Sequence, residues 1–325
     1  MEHLMSSAPH MVDVLTIGKS SEGRPLKVVK VSTGKEMGKP AIWIDGGMHG
    51  REWIAPAVAL YILKQLVENQ LNSNISIIQK LDWYIMPVVN PDGYEYTHVT
   101  DRFWRKSRSK TQDAEFEENR MFWDSARECA GVDLNRNWDF HWGEVGSSDN
   151  PCSPNYSGLR PFSEPETRAV SDFILDKRDQ LKAYITLHSY SQMWLIPWGF
   201  TKQKVADYED LLYLGKKAIE SLSKVHGTKY TIGTSPALLY PTSGSSDDWA
   251  KGKAGIQYSY TVELRDRGTY GFLLPATQIV PTGRETFAGV RTLAKSLINN
   301  RELKKSHQGR RRPRIGVQWQ QLSDS

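Results

Sequence analysis

Short apolar runs closed by glycine-rich or polar turns alternate along this chain with longer segments whose apolar residues recur at helical spacing. Ala41-Ile42-Trp43-Ile44 is continuously apolar and runs into a glycine-rich turn, which reads as a buried strand feeding a loop. Residues 28–31, 81–89, 182–187 and 256–262 read as further strands. Pro56, followed by Val58, Leu60, Ile62, Leu63 and Leu66, marks a long helix lying largely inside the protein. Ser163 with Glu166, and Thr282 with Glu285, have the spacing of a capping box. They predict helices running to about residues 179 and 298, and residues 207–225 predict another. The expected fold is α/β: a single domain built on a twisted mixed β-sheet covered by helices on both faces, with the working residues at the C-terminal ends of strands. No internal repeat interrupts this order.

The 325 residues are within reach of one large α/β domain, and no apolar stretch approaches the length of a membrane-spanning helix. The isoelectric point near 9.0 invites a nucleic-acid reading, but the charge is local. Residues 301–325 hold Arg301, Lys304, Lys305, Arg310, Arg311, Arg312 and Arg314 against Glu302 and Asp324, which accounts for the whole net charge of +5. The remainder is balanced. The expected division is therefore a globular domain over residues 1–300 and a basic, disordered extension over 301–325, binding neither nucleic acid nor membrane.

Candidate chemistry begins directly behind the first buried strand. His49-Gly50-Arg51-Glu52 places a histidine and a carboxylate three positions apart, so both can face one metal ion. A catalytic zinc takes three protein ligands and keeps a fourth position for water, so a third ligand has to come from elsewhere in the chain. One short HxxE pattern is weak alone. The strand-like run 182–187 ends at His188, before Ser189-Tyr190-Ser191-Gln192, and the run through Tyr258, Tyr260 and Val262 ends at Glu263-Leu264-Arg265-Asp266. Phe103-Trp104-Arg105-Lys106 and Val132-Asp133-Leu134-Asn135-Arg136-Asn137-Trp138 lie between them.

Five motifs in this order resemble the zinc carboxypeptidases of the pancreatic A/B type, from about Ile17 to Asn299. The resemblance implies one zinc ion per chain, held by His49, Glu52 and His188, with Asp133 orienting the first histidine. It implies Glu263 as general base and Arg105 as stabiliser of the oxyanion. It implies that Arg136, with Asn135 beside it and Tyr240 closing over the substrate, holds the free terminal carboxylate. A planar guanidinium suits that role, because its parallel N–H donors match two oxygens. Arg51 matches a further substrate-contacting arginine. The implied partners are peptide and protein C-termini, the implied oligomeric state a monomer, and the implied location extracellular.

Specificity divides the resemblance. Counting from Tyr240 brings Asp247 to the pocket floor, where an acidic residue goes with cleavage after Lys or Arg; Leu195 and Gly199 match the pocket of the A type, which takes aromatic and aliphatic C-termini. The B type is preferred here, and an inactive peptide-binding relative is the reading from another class. Cys129 and Cys152 match a family disulfide, which would close a loop of about two dozen residues and contribute on the order of 3 kcal/mol in an oxidising compartment. Asn74 and Asn155 open glycosylation sequons. Residues 110–128 form a connection longer than the family's, rich in Asp and Glu, expected to be a solvated loop or a rim of the cleft. The first nine residues resemble the last turns of a helix; set against the family, the signal, the pro-segment and the start of the first helix are absent here, and the chain is expected to be truncated at its N-terminus.

Overall fold

The computed structural model describes residues 6, 8–33, 38–68, 75–110 and 129–309. Eight strands form one sheet: β1 (Val12–Lys19), β2 (Pro25–Val31), β3 (Ala41–Asp45), β4 (Asp82–Met86), β5 (Leu181–Ser189), β6 (Met193–Ile196), β7 (Thr231–Thr234) and β8 (Tyr258–Leu264). Their order across the sheet is β1-β2-β4-β3-β5-β8-β6-β7. The central pairs β4/β3, β3/β5 and β5/β8 are parallel, while β1/β2, β2/β4 and β6/β8 are antiparallel. The helices are α1 (Ile54–Glu68), α2 (Ile75–Lys80), α3 (Pro91–Val99), α4 (Pro165–Lys177), α5 (Tyr208–His226), α6 (Ser235–Leu238), α7 (Ser246–Gly252) and α8 (Ile279–Gly309).

Two apolar layers sandwich the sheet, as the continuously apolar central strands require. On one face Ile42, Ile44, Ile185, Leu187, Tyr260 and Val262 pack against α1, α5 and α8. Ile62, Leu63 and Leu66 of α1 are fully buried, so the spacing seen in the sequence is the helix's core face. On the other face Trp43, Tyr84 and Tyr184 meet Val170 and Ile174 of α4, Trp249 of α7 and the loop carrying Leu134 and Trp138.

Strand parity decides which face carries the chemistry. In the parallel ladders Asp45 pairs with Thr186, Thr186 with Thr261, and His188 with Glu263. Residues in register share a face, so these side chains leave the sheet together on the side of Trp43 and Tyr184. The opposite side is given over to the larger core.

The strand and helix expectations hold in type, with two corrections at helix starts. α4 begins at Pro165 behind Glu164, without a side-chain cap from Ser163; Glu166 instead accepts from the amide and hydroxyl of Ser21 at 2.8 and 3.1 Å. α8 begins at Ile279, before Thr282, whose hydroxyl donates back to the Gln278 carbonyl, and Glu285 pairs with Arg265. Tertiary partners outcompeted the local caps in both. α5 stops at Gly227, whose left-handed conformation lets its N–H close on the Ser223 carbonyl. α8 runs on to Gly309, beyond the expected end and into the stretch expected to be disordered. The start of the chain, Asn74, the acidic connection over 111–128 and the basic residues after 309 lie outside the described residues.

Candidate active site

His49 and Glu52 lie on the turn between β3 and α1, and His188 sits near the end of β5. All three are buried, and one ligand atom from each lies within 4.8 Å of the others, the one such group among the described residues. Nδ1 of His49 is 2.7 Å from Glu52 Oε1, Nδ1 of His188 is 2.9 Å from Glu52 Oε2, and the two Nδ1 atoms are 3.2 Å apart. Both rings thus turn the same nitrogen inward. Two imidazole nitrogens and a carboxylate are the donor set of a catalytic zinc with an open position, so the residues fit the metal.

The outward nitrogens are also engaged. His49 Nε2 lies 3.0 Å from Asp133 Oδ1, which also accepts the Asn135 amide at 2.9 Å. Asp133 Oδ2 accepts from Arg105 Nη2 at 2.8 Å and Nε at 3.1 Å. Burial alone would push the Asp133 carboxyl up, but Arg105, Arg136 and His49 hold it well below the usual range, so it stays an acceptor for both partners. For Glu52 burial again pushes up, and the two histidines overcome it, holding its carboxyl well below the usual range. Burial pulls the His188 imidazole down, yet Glu52 raises it to about 9; at His49 burial and Arg105 prevail and lower it. These directions belong to the protein's own groups, before a cation joins them.

Glu263 stands beside His188 across the β5/β8 ladder and lines the adjoining cavity of about 250 Å³. Burial pushes its carboxyl up to about 7, against the pull of His188. The same cavity is lined by Arg51, Arg105, Asn135, Arg136, Tyr240 and Asp247. Every candidate read from the sequence is therefore in one place.

Arg136 is buried, and no carboxylate lies within ion-pair reach of it among the described residues. Its Nε donates to the Gly146 carbonyl at 2.9 Å and its Nη1 to the Asn135 carbonyl at 2.7 Å, which fixes the fork. Gly244 lets the neighbouring turn cross it: φ is +65°, and a Cβ there would lie 2.4 Å from the Arg136 carbonyl oxygen. Arg51 lies 4.3 Å over the Phe272 ring, and its Nε is buried without a hydrogen-bond partner. Tyr240 is 53% exposed on its loop at the edge of the cavity.

Asp247 is 6% exposed on the first turn of α7. The helix is hung between the sheet and the Asn135 loop: Ser259 Oγ donates to the Asp247 carbonyl at 2.7 Å, and the Ser246 amide to Asn135 Oδ1 at 3.0 Å. The Asp247 carboxylate itself meets no cation among the described residues. Next to it Asp248 accepts the Gly199 amide at 2.8 Å, tying the opposite pocket wall to the same helix. Leu195 and Gly199 line the cavity as well. The expected disulfide joins Cys129 to Cys152, enclosing the loop that carries Asp133, Asn135 and Arg136.

The sequence reading passed over four residues that shape this site. Tyr190 and Phe272 form an edge-on pair at the rim. Asp45 and Thr186 form a chain behind His188. The signal for the last was a carboxylate closing an otherwise apolar strand, where no solvent-facing position is left.

The chain matches the family described as zinc carboxypeptidase over residues 1–289. It is 48% identical over 294 residues to Carboxypeptidase B of Astacus astacus, covering 90% of this chain and 92% of that protein. To Carboxypeptidase A1 of Bos taurus it is 43% identical over 302 residues, covering 92% of this chain and 68% of that one. Among solved structures, bovine thrombin-activatable fibrinolysis inhibitor in complex with tick carboxypeptidase inhibitor superposes with a TM-score of 0.83 at 40% identity, covering 92% of this chain and 94% of that chain.

Proposed function

This chain belongs to the zinc carboxypeptidase family and is a metallocarboxypeptidase, and from that premise we propose that it hydrolyses the C-terminal peptide bond of peptides and proteins with preference for terminal Lys and Arg. The observation that carries the reading is a pair of unmatched charges in one cavity, the Arg136 guanidinium and the Asp247 carboxylate. A C-terminal basic residue brings a carboxylate at one end and a cation at the other. Leaving either protein charge buried and unpaired beside an apolar side chain is costly, so the substrate that answers both is favoured.

His49, Glu52 and His188 would hold one zinc ion, which would supply Lewis acidity toward the scissile carbonyl and an attacking water. Glu263 takes the proton from that water on its carboxylate and delivers it to the nitrogen of the departing amino acid. Burial favours the protonated form of this carboxyl, which helps it to hold the proton between the two halves of that transfer. Arg105, held by Asp133, donates to the oxygen on which negative charge develops. Arg136 and Asn135 clamp the terminal carboxylate, Arg51 contacts the chain on the other side of the bond, and Tyr240 folds over to exclude water. An inactive peptide-binding relative would have no need of Glu263 beside a complete ligand set. The same reading makes the protein a secreted monomer, with the basic residues after 300 an appendage to the catalytic domain.

A panel of blocked dipeptides ending in Arg, Lys, Phe and Leu tests the proposal. Arg and Lys substrates are expected to lead in kcat/KM by at least about tenfold, as a buried charge pair would give. Faster release of Phe or Leu would place the enzyme with the A type, which Leu195 and Gly199 favour. No hydrolysis of any substrate by zinc-replete protein would overturn the catalytic reading.

A further inference from the structure

We propose that Asp45, acting through the Thr186 hydroxyl, is a positioning residue that fixes the proton of His188 on Nε2 and so keeps its Nδ1 lone pair turned toward Glu52 and the metal. The inference rests on the zinc-site reading above and concerns how tightly the site holds its ion.

Asp45 is fully buried at the end of β3, and neither of its oxygens meets a cation among the described residues. What it meets are two hydrogen-bond donors. Trp43 Nε1, which can only donate, lies 2.6 Å from Oδ2; Thr186 Oγ1 lies 2.6 Å from Oδ1. Burial pushes the Asp45 carboxyl up, while the Thr186 and Trp43 donors and the charge of His188 pull it back; when it is ionised it is acceptor-only, and the single hydroxyl proton of Thr186 is committed to Asp45. Thr186 Oγ1 also lies 3.2 Å from His188 Nε2. With its proton spent, that oxygen can only accept there, so Nε2 must carry the imidazole proton. Nδ1, 2.9 Å from Glu52 Oε2, is thereby the nitrogen left for the metal.

The register of the sheet builds this chain. Asp45 and Thr186 are ladder partners on adjacent parallel strands, and Thr186 and His188 are two residues apart on one strand, hence on one face. His49 reaches its carboxylate, Asp133, directly; His188 reaches Asp45 through one hydroxyl. Each inward nitrogen is thereby backed by an acid behind the ring.

The test is the zinc dissociation constant, measured by chelator competition on the full chain and four variants. Thr186→Val removes the acceptor and is expected to weaken zinc about 10- to 100-fold, the usual cost of losing a group behind a ligand. Asp45→Asn should do the same, because an amide presents one N–H where both neighbours are donors. Thr186→Ser keeps the hydroxyl and should stay within about threefold of the parent, well short of that loss. Trp43→Phe removes the other donor without touching the relay, and should lower Tm while leaving zinc affinity alone. Unchanged affinity in Thr186→Val or Asp45→Asn overturns the proposal, as does an equal loss in Trp43→Phe, which would mean simple packing. Should Thr186→Val fail to fold, Asp45→Asn against Thr186→Ser decides. A parent chain that binds no zinc would sink the metal reading itself, a separate and visible outcome.

Discussion

Glu263 is the ladder partner of His188 on the adjacent parallel strand, so the proposed base and a proposed metal ligand leave the same face of the sheet at the same end. Their separation is set by backbone hydrogen bonds, which is how a strand-end carboxylate can serve a reaction without serving as a ligand. Glu263→Gln is therefore expected to keep stoichiometric zinc and near-normal KM while lowering kcat by a factor on the order of 100 to 10,000. Zinc content measured beside the kinetics checks it; loss of the metal would mean that Glu263 is a ligand.

Metal binding should release protons. Glu52 raises His188 to about 9, so in the metal-free protein at pH 7 this imidazole is protonated and must lose a proton to bind a cation. Zinc affinity is accordingly expected to strengthen as pH rises from 6 toward 9, by up to about tenfold per unit for one proton. Calorimetric titrations in buffers of different ionisation enthalpy count the protons released. Chelation should abolish hydrolysis and added zinc restore it; full activity in stripped protein would be fatal to the assignment.

On the proposed reading, the direction of cleavage depends on Arg136. Amidating a peptide's C-terminus removes the charge that its guanidinium matches, and charge-assisted hydrogen bonds contribute roughly 1.5 to 3 kcal/mol each. A drop in kcat/KM on the order of a hundredfold or more is expected. Arg136→Lys should cost nearly as much, since a point charge cannot reproduce a fork held by the Gly146 and Asn135 carbonyls. Equal cleavage of acid and amide, or release of internal fragments, would identify an endopeptidase.

Stability should carry the mark of Glu166. Burial pushes this carboxyl up to about 7, although the Ser21 amide pulls it back. The folded state then keeps a proton that the unfolded chain sheds near the ordinary carboxylate value. This stabilisation is full below that value and is lost as pH rises through about 7. Glu166→Gln can still accept from the Ser21 amide and has no proton to lose. Relative to the parent it should gain stability between pH 5 and pH 8, by an amount on the order of 2 to 3 kcal/mol. Urea unfolding at both pH values measures the gain, and a difference independent of pH would refute it.

The central strands were legible because their residues are apolar on both faces, and α1 because its buried stripe keeps a helical period. β6 and β7 were not, for each is only four residues long and gives a period little room to show. β1 is an edge strand with mostly partial burial, so its pattern is blurred. The capping boxes failed for a different reason: Glu166 and Glu285 found partners far away in sequence, Ser21 and Arg265, which no local spacing reveals. At the site, ligands and base stood out through motif order, whereas Asp45 and Thr186 matter through strand register, a property of the assembled sheet.

Asp247, the acid proposed to read the substrate's side chain, rides on a seven-residue helix, while the groups proposed to break the bond belong to the ends of β3, β5 and β8 and their loops. Address and machinery are thus written on separate pieces of chain. On the proposed reading, substitutions at Asp247, Leu195 or Gly199 would redirect the enzyme to another class of C-terminus without unsettling the metal, so a lineage could change its substrate while its chemistry stays inherited. The reverse does not hold, because Asp133 and Asn135 are two residues apart on one loop, and a change there disturbs the histidine and the α7 anchor together.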